Sequence, residues 1–68
     1  MNILEKLISE TAPNKNQFAK LVGETPQTIN AQVKSKNPLE PALKYAKILK
    51  VKELKGTANG CEIYIKLG

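Results

Sequence analysis

Gln27, Thr28, Asn30 and Ala31 stand close together in the chain and carry the side-chain chemistry needed to read the edges of base pairs. A carboxamide can pair bidentately with adenine, a threonine offers a hydroxyl and a methyl group, and alanine can meet the methyl of thymine. Such a set implies some A·T preference in whatever sequence is read. Around it lie Asn14, Lys15, Thr25, Lys34 and Lys36, whose amide, hydroxyl and ammonium groups suit phosphate oxygens. The expected division is therefore base contacts from the first group and phosphate contacts from the second.

Other chemistries find few parts. There is no histidine and a single cysteine, Cys61, which leaves neither a zinc ligand cluster nor an intramolecular disulfide. Cys61 itself reads as a small buried apolar residue. Aspartate is absent and the six glutamates are scattered, so no acid/base pair, activated nucleophile or glycine-rich phosphate loop can be assembled. No catalytic residue, metal or cofactor is expected, and the chain reads as a binding protein, not an enzyme. All eleven basic residues are lysines, so base reading without arginine forks falls to amides and hydroxyls. A net charge of +5 and a pI near 9.5 suit a polyanionic partner.

The 68 residues are expected to form one domain, with 41% hydrophobic and 25% charged residues, close to ordinary globular usage. No apolar run approaches the roughly 18 residues of a membrane span, and Glu5 and Lys6 interrupt the N-terminus as a signal peptide would not. A cytoplasmic protein follows as the expectation.

Five elements must position the candidate site. Ile3, Leu4, Leu7 and Ile8 recur at helical spacing behind an Asn2/Glu5 capping box, which predicts a first helix over about 3–10. Asn14 caps a second, 15–22, with Phe18, Ala19 and Val22 inward and Gly23 as its stop. Thr25 caps a third, 26–34, opened by Pro26 and anchored by Ile29 and Val33. Turning about 100° per residue from Ile29 points Gln27 and Ala31 most directly outward, with Thr28 and Asn30 on the flanks. Leu39, Ala42, Leu43, Ala46 and Leu49 predict a fourth helix over 40–50, with Lys44, Lys47 and Lys50 on its solvated face.

Beyond it the period changes to two, with Cys61, Ile63, Ile65 and Leu67 alternating with polar residues. Asn59-Gly60 favours a type I′ turn and predicts a hairpin over 51–67, with Leu54 opposite Ile65, Gly56 opposite Ile63 and Glu53 opposite Lys66. The rival reading is a further helical turn over 52–55. Tyr45 and Tyr64 read as packing residues, because aromatic residues are 4% of the chain and stacking on single strands needs several. The predicted class is mainly α with a C-terminal hairpin.

Gln17-Phe18-Ala19-Lys20-Leu21-Val22-Gly23 followed by Thr25-Pro26-Gln27-Thr28-Ile29-Asn30 resembles the helix-turn-helix of the lambda-repressor and Cro-like family. The likeness runs through Leu43-Lys44-Tyr45-Ala46-Lys47-Ile48-Leu49 and covers roughly residues 3–51, while the hairpin is similar to the Cro branch, whose C-terminal strands commonly make a dimer. Lys15 stands where the family often has glutamine, Glu24 replaces the usual apolar residue after the turn, and Gln32 lies beside the inner face. The resemblance implies a phage-type transcriptional regulator, a homodimer on a palindromic duplex operator with its third helix in the major groove. The alternative is a protein-interaction module on the same scaffold, such as an antitoxin or anti-repressor, using Leu21 and the hairpin edge. A membrane or RNA role fits less well, since the lysines make no helix strongly basic and amphipathic.

Overall fold

A computed structural model of the chain describes residues 2–68. Helices α1 (Ile3–Thr11), α2 (Lys15–Val22), α3 (Pro26–Val33) and α4 (Leu39–Ile48) precede strands β1 (Glu53–Ala58) and β2 (Cys61–Lys66). The domain is thus mainly α with a C-terminal antiparallel hairpin, and no described helix is long and apolar enough to cross a membrane.

Local chemistry starts α1 as its sequence predicts. Asn2 Oδ1 accepts the Glu5 N–H at 2.8 Å while Glu5 Oε1 accepts the Asn2 N–H at 3.2 Å, so each residue satisfies an amide that the helix end leaves open. Ile3, Leu4, Leu7 and Ile8 then fall on one buried face. Against it pack Phe18, Ala19 and Val22 of α2, Ile29 of α3, and Ala42, Tyr45 and Ala46 of α4. The Phe18 and Tyr45 rings meet edge to face, 5.7 Å between centroids at 84°, the arrangement their quadrupoles favour.

α4 stops at Ile48, two residues short of the expected end. Lys50 takes the left-handed conformation (φ 58°) and lets the Val51 N–H reach back to the Ala46 carbonyl at 2.9 Å. That bond closes the helix as a glycine would normally allow, here with a lysine in the strained position.

The hairpin has the register that the turn residues imply: Glu53 opposite Lys66, Leu54 opposite Ile65 and Gly56 opposite Ile63. Asn59 and Gly60 both have positive φ, as a type I′ turn requires, and β1 begins at Glu53, so residues 53–55 are strand and not a helical turn. β1 lies directly against α1: Leu54 and Ala58 are buried, Asn2 bridges Thr57, and Gly56 faces the Ile3 backbone so closely that a Cβ would sit 2.6 Å from Ile3 Cα.

β2 lies farther out, and two expectations fail there. Cys61 is exposed, because the helices cover β1 more completely than β2 and position 61 overhangs at the turn. Tyr64 is 58% exposed on the solvent face, where its hydroxyl donates to Glu53 Oε2 at 2.7 Å. That bond and the Glu53 charge raise the phenol pKa above 10.0. Tyr45, by contrast, is a core residue as expected.

Candidate nucleic-acid interface

The α2–α3 pair is positioned first by bonds local in sequence. Asn14 Oδ1 accepts the Gln17 N–H at 2.9 Å and starts α2. At its other end Gly23 is left-handed (φ 76°, ψ 29°), and the Glu24 N–H donates to the Ala19 carbonyl at 2.8 Å. Nothing lies within 4 Å of a Cβ built at Gly23, so glycine is favoured there by conformation and not by space. Thr25 follows as the cap of α3: its Oγ1 accepts the Thr28 N–H at 3.2 Å and lies 2.9 Å from the Thr28 hydroxyl. Pro26 fills the first helical position, where no intrahelical amide bond is lost.

α3 is then fixed to the body at a few points. Ile29 is fully buried and Val33 packs partly against the core. Its far end is tied by Asn2, whose Nδ2 donates to the Val33 carbonyl at 3.0 Å. Asn2 therefore serves two helices at once, its oxygen capping α1 and its nitrogen satisfying one of the carbonyls that α3 leaves open.

The opposite face of α3 is left to solvent. Gln27, Asn30 and Ala31 are exposed and Thr28 is half-buried, and no residue from Pro26 to Val33 carries a charge. All four proposed base readers thus lie on one short helix, with the Thr28 hydroxyl already engaged at the cap. Among the candidate phosphate holders, Asn14 and Thr25 are exposed and occupied as caps. Lys34 and Lys36 are exposed just beyond the C-terminal end of α3. Lys15 is exposed at the start of α2, and its Nζ donates to Asn30 Oδ1 at 2.9 Å.

That contact between a presumed phosphate holder and a presumed base reader is absent from any reading of local spacing. Its signal would have been the first turn of α2 lying alongside the middle of α3, which is a tertiary relation. The other departures also find places. Glu24 is half-buried, and its charge, after burial itself, raises the Tyr45 phenol pKa above 10.0. Gln32 is half-buried and, with Lys36, Glu40 and Lys44, lines an open groove of about 610 Å³ between the last turn of α3, the following loop and α4. Among the described residues no cluster of acidic or cysteine side chains could hold a metal ion.

Comparison of the chain with models of protein families, with characterised proteins and with solved structures finds no match. The chemistry of this face is therefore read from its own residues.

Proposed function

We propose that the protein is a sequence-specific double-stranded DNA-binding regulator of transcription, of the lambda-repressor and Cro-like helix-turn-helix type, acting in the cytoplasm as a homodimer on a palindromic operator. The observation that carries this reading is the outer face of α3: uncharged, amide-bearing, exposed, and flanked by Lys15 on one side and Lys34 and Lys36 past its end. A major groove about 12 Å wide accepts one such helix. Amides and small side chains on it can read base edges, while cations and helix starts beside it hold phosphates and set the register.

One such domain covers few base pairs, so two copies on paired half-sites give the length a specific site needs. β2 supports the pairing. Its apolar face is only partly covered, with Ile63, Ile65 and Leu67 half-buried and Cys61 exposed. In a two-stranded sheet whose β1 edge meets Asn2, the edge of β2 is the side on which a second copy can add a strand.

Selection of duplexes from a random pool tests the proposal, with an enriched palindrome as the expected result. Two variants then separate the roles. Gln27→Ala should cost about 1 to 3 kcal/mol on the selected operator and relax one base pair per half-site, with little change on scrambled DNA. Lys34→Ala should weaken both duplexes alike and reduce the salt slope by about one per subunit. If neither variant behaves so, α3 does not enter the groove. The protein-interaction reading then takes precedence, supported by Leu21, 52% exposed on the outer side of α2.

A further inference from the structure

Lys15 and Asn30 come from different helices and share one hydrogen bond, Nζ to Oδ1 at 2.9 Å, on the exposed side of α3. The direction of that bond is fixed by chemistry. An ammonium group has three donors and no acceptor, so the carboxamide must turn its oxygen toward Lys15 and its NH₂ away. With one of its two lone pairs engaged and an ammonium charge beside it, the Asn30 oxygen is a poorer and more crowded acceptor for the N6 donor with which adenine meets an asparagine. What faces outward is a cluster of donors: the two N–H bonds of Nδ2 and the remaining N–H bonds of Nζ, with a positive charge beside them.

We propose that Lys15 and Asn30 act together as a composite donor that selects guanine at one position of each half-site. Guanine presents two adjacent acceptors, N7 and O6, to the major groove. Adenine sets its N6 donor beside N7, cytosine shows a donor at N4, and thymine has a single acceptor next to a methyl group, so each leaves a donor of the pair unmatched or opposed. A single arginine would ordinarily do this with its rigid fork, and the chain has none. The pair divides the fork between the first turn of α2 and the middle of α3. Holding the lysine against Asn30 before DNA arrives also removes part of the rotamer freedom that a free lysine would lose on binding. The position read by Asn30 is then an exception to the A·T preference implied by the amides taken singly.

The inference rests on the DNA-binding reading, and its test distinguishes the two failures. Duplexes are selected from a random pool with the wild-type protein, with Lys15→Met and with Asn30→Ala. The selected half-site is then titrated with each base pair in turn at the position that Asn30→Ala relaxes. The wild-type protein should favour guanine there over adenine by about 5- to 150-fold, the discrimination of one good bidentate contact. Lys15→Met frees the Asn30 oxygen, and the guanine-to-adenine ratio should fall by about tenfold or invert, on the same scale. Lys15→Gln repeats the test if the methionine variant fails a circular-dichroism check of folding. If the Lys15 variants weaken the guanine, adenine and scrambled duplexes by one common factor, Lys15 is a phosphate holder and the pair does not read a base. Selection of adenine by the wild-type protein would likewise overturn the inference while leaving the DNA-binding reading intact. Selection of no sequence at all would overturn both.

Discussion

Gly56 and Gly23 should respond to alanine in different degrees, for reasons visible in their surroundings. A Cβ at Gly56 would lie 2.6 Å from Ile3 Cα and 3.0 Å from Ile3 N, backbone atoms that cannot rotate aside. Either β1 or the start of α1 must move. Overpacking of this kind costs about 1 to 3 kcal/mol, and the bridge from Asn2 to Thr57 is put at risk as well. At Gly23 nothing lies within 4 Å of the new methyl, so the cost is the left-handed backbone alone. That is about 1 to 2 kcal/mol, less the roughly 0.4 to 1 kcal/mol gained by stiffening the unfolded chain.

Gly56, at φ 158°, adds a backbone strain of about 1 to 3 kcal/mol to the overpacking, so after the same gain in the unfolded chain Gly56→Ala should lose about 1 to 5 kcal/mol, against about 0 to 1.6 kcal/mol for Gly23→Ala. A chain of 68 residues has on the order of 3 to 10 kcal/mol in total. Since 1 kcal/mol moves the melting point of a domain this size by roughly 4 to 8 °C, thermal or urea melting resolves the two variants. On the proposed DNA-binding reading, the Gly56 variant should also bind operator more weakly at temperatures where it remains folded, because Asn2, adjacent to the displaced Ile3, holds the Val33 carbonyl at the end of α3. A loss at Gly56 no larger than that at Gly23 would refute the packing of the hairpin on α1.

Lys50→Gly should stabilise the domain by about 0.5 to 1 kcal/mol in urea melts, since glycine relieves the left-handed φ of 58° while loosening the unfolded chain. Ile29→Ala should cost roughly 2 to 5 kcal/mol by calorimetry, because it empties a fully buried site, and a near-normal melting point would mean that α3 is seated differently. Tyr45 gives a pH dependence: its folded pKa is raised above 10.0 by burial and by Glu24, so the neutral phenol is favoured in the native state. The contribution is full below pH 10.0 and is lost as pH rises through the folded value, and Tyr45→Phe should flatten that alkaline fall in melting temperature relative to the wild type.

What could be read from the sequence was what local chemistry determines. The Asn2/Glu5 box, the Asn14 and Thr25 caps and the Asn59-Gly60 turn each involve residues a few positions apart, and each adopts the expected geometry. The turn in its place sets the pairing of β1 with β2. The exposed positions on α3 follow from Ile29 as anchor and the helical period. Cys61 defeated the same reasoning because alternation along a strand says which face a residue takes but not how far the opposing layer extends over it, whereas Tyr64 reads as a packing residue only by its aromatic type, although the alternation already turns it outward. The early end of α4 depended on Lys50 accepting a conformation that its side chain disfavours. The Lys15–Asn30 bond is set by how two helices lie against each other, which neither helix encodes alone.

The seating of α3 explains how so small a domain can leave a whole helix face open to solvent. Of its eight residues only Ile29 is fully buried, so packing alone would hold the helix weakly against rotation. Its orientation is instead constrained at the ends. Gly23 and the Thr25 cap fix the entry, and the Asn2 amide fixes the exit through Val33. None of these groups belongs to the outer face. Gln27 and Ala31 can therefore change without loss of an anchoring contact, whereas Thr25 and Asn2 cannot. Asn30 lies between these cases, since its bond to Lys15 links the outer face to α2 without contributing to the core. On the proposed DNA-binding reading, substitutions on the face should alter which duplex is bound, and substitutions at the ends should alter how firmly any duplex is bound.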